Sequence, residues 1–525
     1  DIMEADIVFT SSMIVQKKSL EKVIKLVNKL GKPVVAGGPY PTSSFEKISG
    51  VDHFVLNEAE ATLPQFLEDS RLGKAKHLYM DKSRPDITAT PIPRFDLLNL
   101  KLYSTMALQY SRGCPFACEF CDIIEMFGRH PRTKTPAQFL AEVQSLYNRG
   151  YRGALFIVDD NFIGNKKNVK QLLPRIAAWQ KAMHYPFSLF TEASVDLASD
   201  EELMDMMVQA GFDMVFLGIE TPVKESLALT HKNQNLKCDL LQSVHTIQKK
   251  GMEVAGGFIL GFDNDPEDIF ERQVHFIQKA GIPAAMVGLL TALPNTRLYH
   301  RLKSENRLIE ESAGNNNNEV RLNFLPKMDM NKLLTGYREV IAKIYKPELY
   351  FQRCLSFLKN LKPQTNFNRK ISYTEVRAFI LSLLVQTFSF YGWHYWKFLI
   401  TAIFTKPSLF GEAVAMAIKG HHFLKLTREV LAADNFKAYL EKISGSFQER
   451  IKENSGLELE EMLKDLTAYR KRVSGQLQKK YRRLHKDFRP YVEEALINLE
   501  KFIDNRLAEL SASSSVPQRV KILEN

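Results

Sequence analysis

The chain has 525 residues, 45% of them apolar and 25% charged, an ordinary globular composition with enough apolar material for several domains. That balance excludes a collagen, a largely disordered chain and a polytopic membrane protein, and five cysteines in this length exclude a disulfide scaffold. The net charge of +11 is concentrated: residues 321–430 hold 17 basic and 6 acidic side chains, 431–525 sum to +3 and 1–320 to −3, which argues against a generic nucleic-acid binder.

In chain order, residues 7–9, 33–36 and 53–56 read as buried strands. A helical pattern (Leu20, Val23, Ile24, Val27, Leu30) lies between the first two, and a helix over 58–68 follows the third. Strand–helix alternation means parallel βαβ units. Three strands make half of a doubly wound domain, so residues 1–70 read as the C-terminal half of a Rossmann-like domain whose first half precedes this chain. Residues 71–105, with Pro85, Pro91 and Pro93, read as a linker. Over 106–312 six strands (106–111, 154–158, 187–191, 214–219, 254–260, 284–290) alternate with helices. Helix starts are signalled by Thr135 with Pro136 and Gln138, by Ser199, and by Asp265 with Pro266; Gly211 and Gly281 mark stops. Six βα units predict an α/β fold built on a partial (β/α)6 barrel, with chemistry at the C-terminal strand ends. The asparagine run 315–318 reads as a loop. Residues 321–430 read as a basic, aromatic helical domain and 431–525 as an amphipathic helical extension (Leu466, Val473, Leu477, Leu484, Phe488), with a capping box at Ser455 and a frayed tail from Ser511.

Cys114, Cys118 and Cys121 follow the strand 106–111 directly. Thiolates are soft ligands for zinc, copper(I) or iron–sulfur clusters. Structural zinc is closed by four ligands, and neither Cys238 nor Cys354 has a paired partner. A 4Fe–4S cluster held by three thiolates leaves one iron open to a substrate, and this reading is preferred over zinc.

This motif, placed after the first strand of a βα barrel, resembles the radical S-adenosylmethionine (SAM) superfamily. The resemblance implies a cluster that binds SAM at its open iron and an external one-electron donor. SAM is then cleaved to methionine and a 5′-deoxyadenosyl radical. It places Phe120 beside the adenine. Asp159, Asp160 and Asn161 stand where the family contacts the SAM amino group, although the family's pattern there is Gly-Gly-Glu. Glu192 and Ser194 stand at the ribose and carboxylate contacts, and Glu220 ends the fourth strand. Gly257, Ile259 and Gly261 match a G-x-I-x-G pattern whose small residues admit adenine. Each has a plainer alternative: Asp159 and Asp160 as helix caps, Glu192 as the partner of an arginine, the glycines as packing devices. Arg129, Arg132 and Lys134 read as solvated loop charge, or as holders of an anion. No residue is assigned as a catalytic acid or base.

The first segment resembles the cobalamin-binding domain that precedes many radical SAM barrels. The resemblance implies that Thr10, Ser11, Gly37, Gly38 and Pro39 border the cobalamin nucleotide tail. Asn57-Glu58-Ala59-Glu60 resembles a Gly-Glu-Gly-Glu pattern of that family with both glycines replaced. The cobalt-ligating histidine motif belongs to the preceding half, so cobalamin is expected of the complete protein; His53, inside a strand, reads as structural. Residues 6–330 as a whole resemble cobalamin-dependent radical SAM proteins, in the subgroup containing the hopanoid C-2 methylase. This implies C-methylation of an unactivated carbon of a small hydrophobic, lipid-like substrate by a cytoplasmic enzyme. The alternatives are radical cyclisation or rearrangement without methyl transfer, and a non-catalytic iron–sulfur protein. No nucleic-acid partner is expected.

The apolar stretch 378–391 has about 14 residues, short of the roughly 20 that a membrane span needs. With Trp393, Trp396, Phe404 and flanking lysines and arginines it predicts a buried helical hairpin, a surface for an apolar substrate, or a peripheral membrane contact.

Overall fold

The computed structural model describes residues 2–312, 322–362 and 373–514. The asparagine run 315–318 and the tail beyond Ser514 lie outside the described residues. The chain forms two compact units, Asp1–Gly420 and His421–Asn525.

The first unit begins with a parallel sheet of β1 (Val8–Ser11), β2 (Val34–Gly37), β3 (His53–Asn57) and β4 (Leu78–Asp81), in that spatial order. Val34, Ala36, Phe54 and Leu56 pack against Leu20, Ile24 and Val27 of the helix Lys17–Lys29. Val35 and Val55 face Phe66 and Tyr79 on the other side. The strand β4 falls in the stretch that the sequence assigns to the linker. Only Tyr79 of its four residues is buried, so its alternation carries almost no core signal. The remaining linker makes short 3₁₀ turns at Ile87–Ala89, Phe95–Leu97 and Leu100–Leu102.

The barrel strands are β5 (Thr105–Leu108), β8 (Ala154–Ile157), β9 (Ser188–Ala193), β10 (Phe212–Glu220), β11 (Glu253–Leu260) and β12 (Ala285–Leu289). All are parallel and pair in chain order, giving a curled open sheet edged by β5 and β12. Alternation sorts the side chains. Leu155, Ile157, Leu189, Val215 and Leu217 are buried beneath the helices. Phe156 and Phe190, on the opposite face, stack at 4.7 Å. The expected single strand 106–111 is broken. Chain pairing with β8 ends at Leu108, and β6 (Ser111–Arg112) turns to pair antiparallel with β7 (Arg132–Thr133), bracketing the cysteine loop.

The capping box at Thr135 and Gln138 is formed. The cap expected at Ser199 sits one residue later, where Asp200 accepts from the Leu203 amide. Asp265 opens no helix: its carboxylate takes the amides of Gly261 and Phe262, and the helix begins at Ile269. The helices Met330–Ile344 and Pro347–Asn360 cover the β12 side through Arg353, which is 1% exposed and donates to Gln278 Oε1 and to the carbonyls of Ile344 and Pro283.

In the second unit the end of the helix Phe410–Glu453, with Leu459–Arg483 and Arg489–Ser514, encloses its own core of Phe436, Leu440, Phe447, Leu466, Val473, Val492 and Ile503. The capping box expected at Ser455 is not formed: Glu458 is the cap residue of Leu459–Arg483 and makes no side-chain cap. The helix Arg489–Ser514 takes in Ser511–Ser514, the first residues of the tail expected to fray. Among the described residues no helix is long and apolar enough to cross a membrane.

Candidate active site

The cysteine loop leaves β6 over the C-terminal mouth of the barrel. Cys118 is buried and Cys114 and Cys121 are half-buried, and burial pushes the thiols of the latter two up. The loop is fixed by the strand ends below it. Asp159, just beyond β8, accepts from the Tyr110 amide at 2.7 Å, the Ser111 amide at 2.8 Å and the Ser111 hydroxyl at 2.8 Å. Burial pushes the Asp159 carboxyl up to about 7 against the pull of these bonds. Asp160 accepts from the Gly113 amide at 3.0 Å. The two aspartates therefore cap no helix. They position the segment that leads to Cys114, Asp159 through two backbone amides and the Ser111 hydroxyl and Asp160 through the Gly113 amide.

Replacing Asp159 by alanine strands two buried amides and a hydroxyl. At about 1–3 kcal/mol for each unsatisfied group, partly relieved by relaxation, the loss should be about 3 kcal/mol. A thermal melt of Asp159→Ala at neutral pH checks this; an unchanged midpoint would show that the loop does not depend on the clamp.

Asn161 turns sideways and binds Ser194, through its Nδ2 to the hydroxyl at 3.1 Å and from the Ser194 amide to its Oδ1 at 3.2 Å. Glu192 rises from β9 into the mouth. Burial and the charges of Asp160 and Glu220 push its carboxyl up to about 7, and the cation facing it is Lys232, not an arginine. Glu220, at φ 65°, bonds the Lys232 ammonium at 2.6 Å. Burial opposes the Lys232 charge, but Glu220 and the thiols of Cys118 and Cys121 outweigh it and hold the amine protonated. Its Nζ lies 5.8 Å from the centre of the Phe120 ring, and that ring meets Phe262 at 6.0 Å, beside Gly261. A Cβ on Gly218 would sit 2.8 Å from Lys232 Nζ, and one on Gly257 3.1 Å from the Phe216 ring. Ile259 is the next residue of β11 on the face that Gly257 occupies.

Three residues of this site carried no local signal. Gln234 donates to Cys118 Sγ at 3.7 Å, Asn235 donates to the carbonyls of Gly218 and Ile219, and Lys232 is the mouth's cation. Their one trace in sequence is a polar run, His231–Asn235, after a strand end.

The donor set fits an iron–sulfur cluster. Among the described residues no three metal-ligating side chains converge on a single ion. Three thiols that bind different irons of one cluster stand further apart than that. The Gln234 amide and the Lys232 ammonium supply the hydrogen bond and positive charge that stabilise sulfur ligands.

Of the charges beyond the loop, Arg129 is exposed as expected, whereas Lys134 and Arg132 are held by carboxylates. Lys134 pairs with buried Glu142 at 2.5 Å. Arg132 donates to Glu58 Oε1 at 2.8 Å and Oε2 at 2.9 Å, while Arg112 reaches Glu58 at 3.0 Å and Glu60 at 2.8 Å. Arg129 donates to the Pro115 carbonyl. The Asn57–Glu60 turn thus clamps the N-terminal sheet to both ends of the cysteine loop.

Beside this clamp, a cleft of about 810 Å³ lies between the sheet and the barrel mouth. Met13, Pro39, Tyr40, Asn57 and Met80 line one wall; Asp122, Ile123, Met126 and Leu293 line the other. Asn57 Oδ1 is buried without a hydrogen-bond partner, which fits a polar ligand in the cleft. The residues expected at a nucleotide tail are more closely tied to the sheet. Thr10 donates to the Val35 carbonyl; a Cβ on Gly37 would lie 2.7 Å from the Val55 carbonyl oxygen, and one on Gly38 2.6 Å from Ser11 Oγ.

Residues 108–277 match the radical SAM superfamily, and residues 296–435 match a domain of unknown function, DUF4070. The chain is 41% identical over 457 residues to an uncharacterized methyltransferase of Synechocystis sp., sll1242, covering 86% of this chain and 84% of the relative. It is 31% identical over 443 residues to the hopanoid C-2 methylase of Rhodopseudomonas palustris, 82% of either chain. Its fold is similar to that of the radical SAM methyltransferase TsrM from Kitasatospora setae with cobalamin and a 4Fe–4S cluster bound, at a TM-score of 0.51 and 14% identity, over 80% of this chain and 89% of that one.

Proposed function

The chain belongs to the radical SAM superfamily, in the group of methyltransferases that includes the hopanoid C-2 methylase, and from that membership we propose that it methylates an unactivated carbon of a hydrophobic, lipid-like molecule. The observation that carries the reading is a cleft walled by both the N-terminal sheet and the residues after Cys121. When bound, the cluster supplies the electron that cleaves SAM, and cobalamin supplies the methyl group. Cys114, Cys118 and Cys121 would hold the cluster; Asn57 and Pro39 would border the cobalamin side. Lys232 offers a cation to the SAM carboxylate, with Glu220 as the partner that positions it. Phe120 and Phe262 give the adenine an apolar wall, and Gly257 lets it approach β11. Met13, Ile14, Val15, Met80, Ile123 and Met126 give the cleft an apolar part beside a charged rim of Lys82, Arg84, Asp122 and Glu125, and that apolar part suits a lipid-like substrate.

Product counting tests the reading. Anaerobic turnover of the reconstituted enzyme with the lipid fraction of its source cells should release S-adenosylhomocysteine and 5′-deoxyadenosine in near-equal amounts. Deoxyadenosine without homocysteine product would favour cyclisation or rearrangement instead. Absence of SAM cleavage would leave a non-catalytic iron–sulfur protein.

A further inference from the structure

The matched domain of unknown function contains a feature that the chemistry does not use. Helices Tyr373–Thr387 and Gly392–Thr405 form a hairpin whose outer faces are apolar. On the first, Ile380 and Leu384, and Phe388 in the turn just after it, follow one another at helical spacing and are 51%, 58% and 87% exposed. On the second, Trp393, Ile400 and Phe404 are 77%, 51% and 83% exposed. The hairpin is rigid inside. Ser382 Oγ meets Tyr395 OH at 3.1 Å, Gln386 donates to Ser382 at 2.7 Å, and Tyr391 donates to Gln386 at 3.3 Å, all buried. Even the Trp396 ring nitrogen is satisfied, by Thr387 Oγ1 at 3.1 Å. Ser382, Gln386, Tyr391 and Tyr395 are thus satisfied inside the hairpin, and its exposed apolar side chains ask for an apolar neighbour.

Charge identifies that neighbour. Between Tyr373 and Lys406 the sequence holds three cations, Arg377, Lys397 and Lys406, and one carboxylate, Glu375 in the first turn of the hairpin. Arg377 and Lys397 are exposed, the latter between Trp396 and Ile400. Helices of 15 and 14 residues are about 22 Å long, too short for a bilayer core of about 30 Å. An apolar, tryptophan-bearing face with interspersed cations in excess of its one acid is the chemistry of a segment lying in the headgroup layer. We propose that this hairpin seats the protein on the surface of an anionic lipid bilayer, independently of which carbon the barrel methylates.

Two of the three tryptophans, Trp393 and Trp396, lie on the hairpin, so the protein reports its own docking. The test uses the full chain with Trp179→Phe, mixed with phosphatidylcholine vesicles with and without phosphatidylglycerol. Sedimentation with the phosphatidylglycerol vesicles and a blue shift of the remaining fluorescence are expected. Phe388→Asp with Phe404→Asp should abolish both, and charge reversal at Arg377, Lys397 and Lys406 should weaken binding about ten- to a hundredfold. Circular dichroism and SAM cleavage should be unchanged in both variants. The proposal fails if the vesicles do not bind, or if binding survives the aspartates. It also fails if ultracentrifugation finds, without vesicle binding, a dimer that the aspartates dissociate, because a second copy would then cover the face.

Discussion

Replacing Cys118 by alanine should abolish cleavage of S-adenosylmethionine. Cys118 is the most buried thiol of the motif, 6% exposed, and the one that Gln234 reaches. Its removal leaves two thiolates for a cluster that needs three, and no other cysteine stands in the loop to replace it. The variant should still fold, because the loop is fixed by Asp159, Asp160 and Glu58 rather than by its thiols. Iron content after anaerobic reconstitution should fall, 5′-deoxyadenosine should drop to background, and the thermal midpoint of the metal-free chain should hardly move. Cys354, buried between the covering helices and outside the loop, provides the control: Cys354→Ala should retain cleavage. Cleavage that persisted in Cys118→Ala would refute the cluster assignment.

The second large effect concerns Glu58, whose side chain is only 2% exposed. Its two oxygens serve both Arg112 and Arg132, which are 16% and 18% exposed. Removing the anion leaves two guanidinium groups confined with one remaining carboxylate, Glu60, which reaches only Arg112. Breaking a buried pair from one side costs about 3–5 kcal/mol because the stranded charge cannot rehydrate. Glu58→Ala should therefore lower the thermal midpoint strongly and speed proteolysis in the linker between the sheet and the barrel. Glu58→Gln, which keeps an acceptor but not the charge, should fall between. A double-mutant cycle with Arg132→Gln apportions the coupling. If Glu58→Ala melted like the parent, the clamp would contribute nothing to the junction.

What could be read from the sequence follows the range of the interactions. The thiol motif, the capping box at Thr135 and the βα alternation are local patterns, and each is visible in a window of a few residues. The strand Leu78–Asp81 escaped because a short edge strand buries one side chain. The division of residues 106–111 escaped because its cause, the carboxylate of Asp159, lies 48 residues further along the chain. The same distance effect hid the meaning of Glu58 and Glu60. Their pattern was noticeable, but their partners are 52 to 74 residues away and on another sheet. Lys232 and Gln234 come from a loop without periodicity, and only the fold carries them over the cysteines.

Arg112 and Arg132 face each other in the short β6–β7 ladder, and both reach Glu58. The ends of the cysteine loop are thus joined by groups that never touch iron. In a zinc finger the metal must itself close the loop, and much of its binding energy goes into ordering the chain. Here the closure entropy is met during folding, by an ion pair and a two-residue ladder. A cluster bound by the three cysteines would meet a preorganised receptor, and its affinity would go into retaining the cluster rather than into building the site.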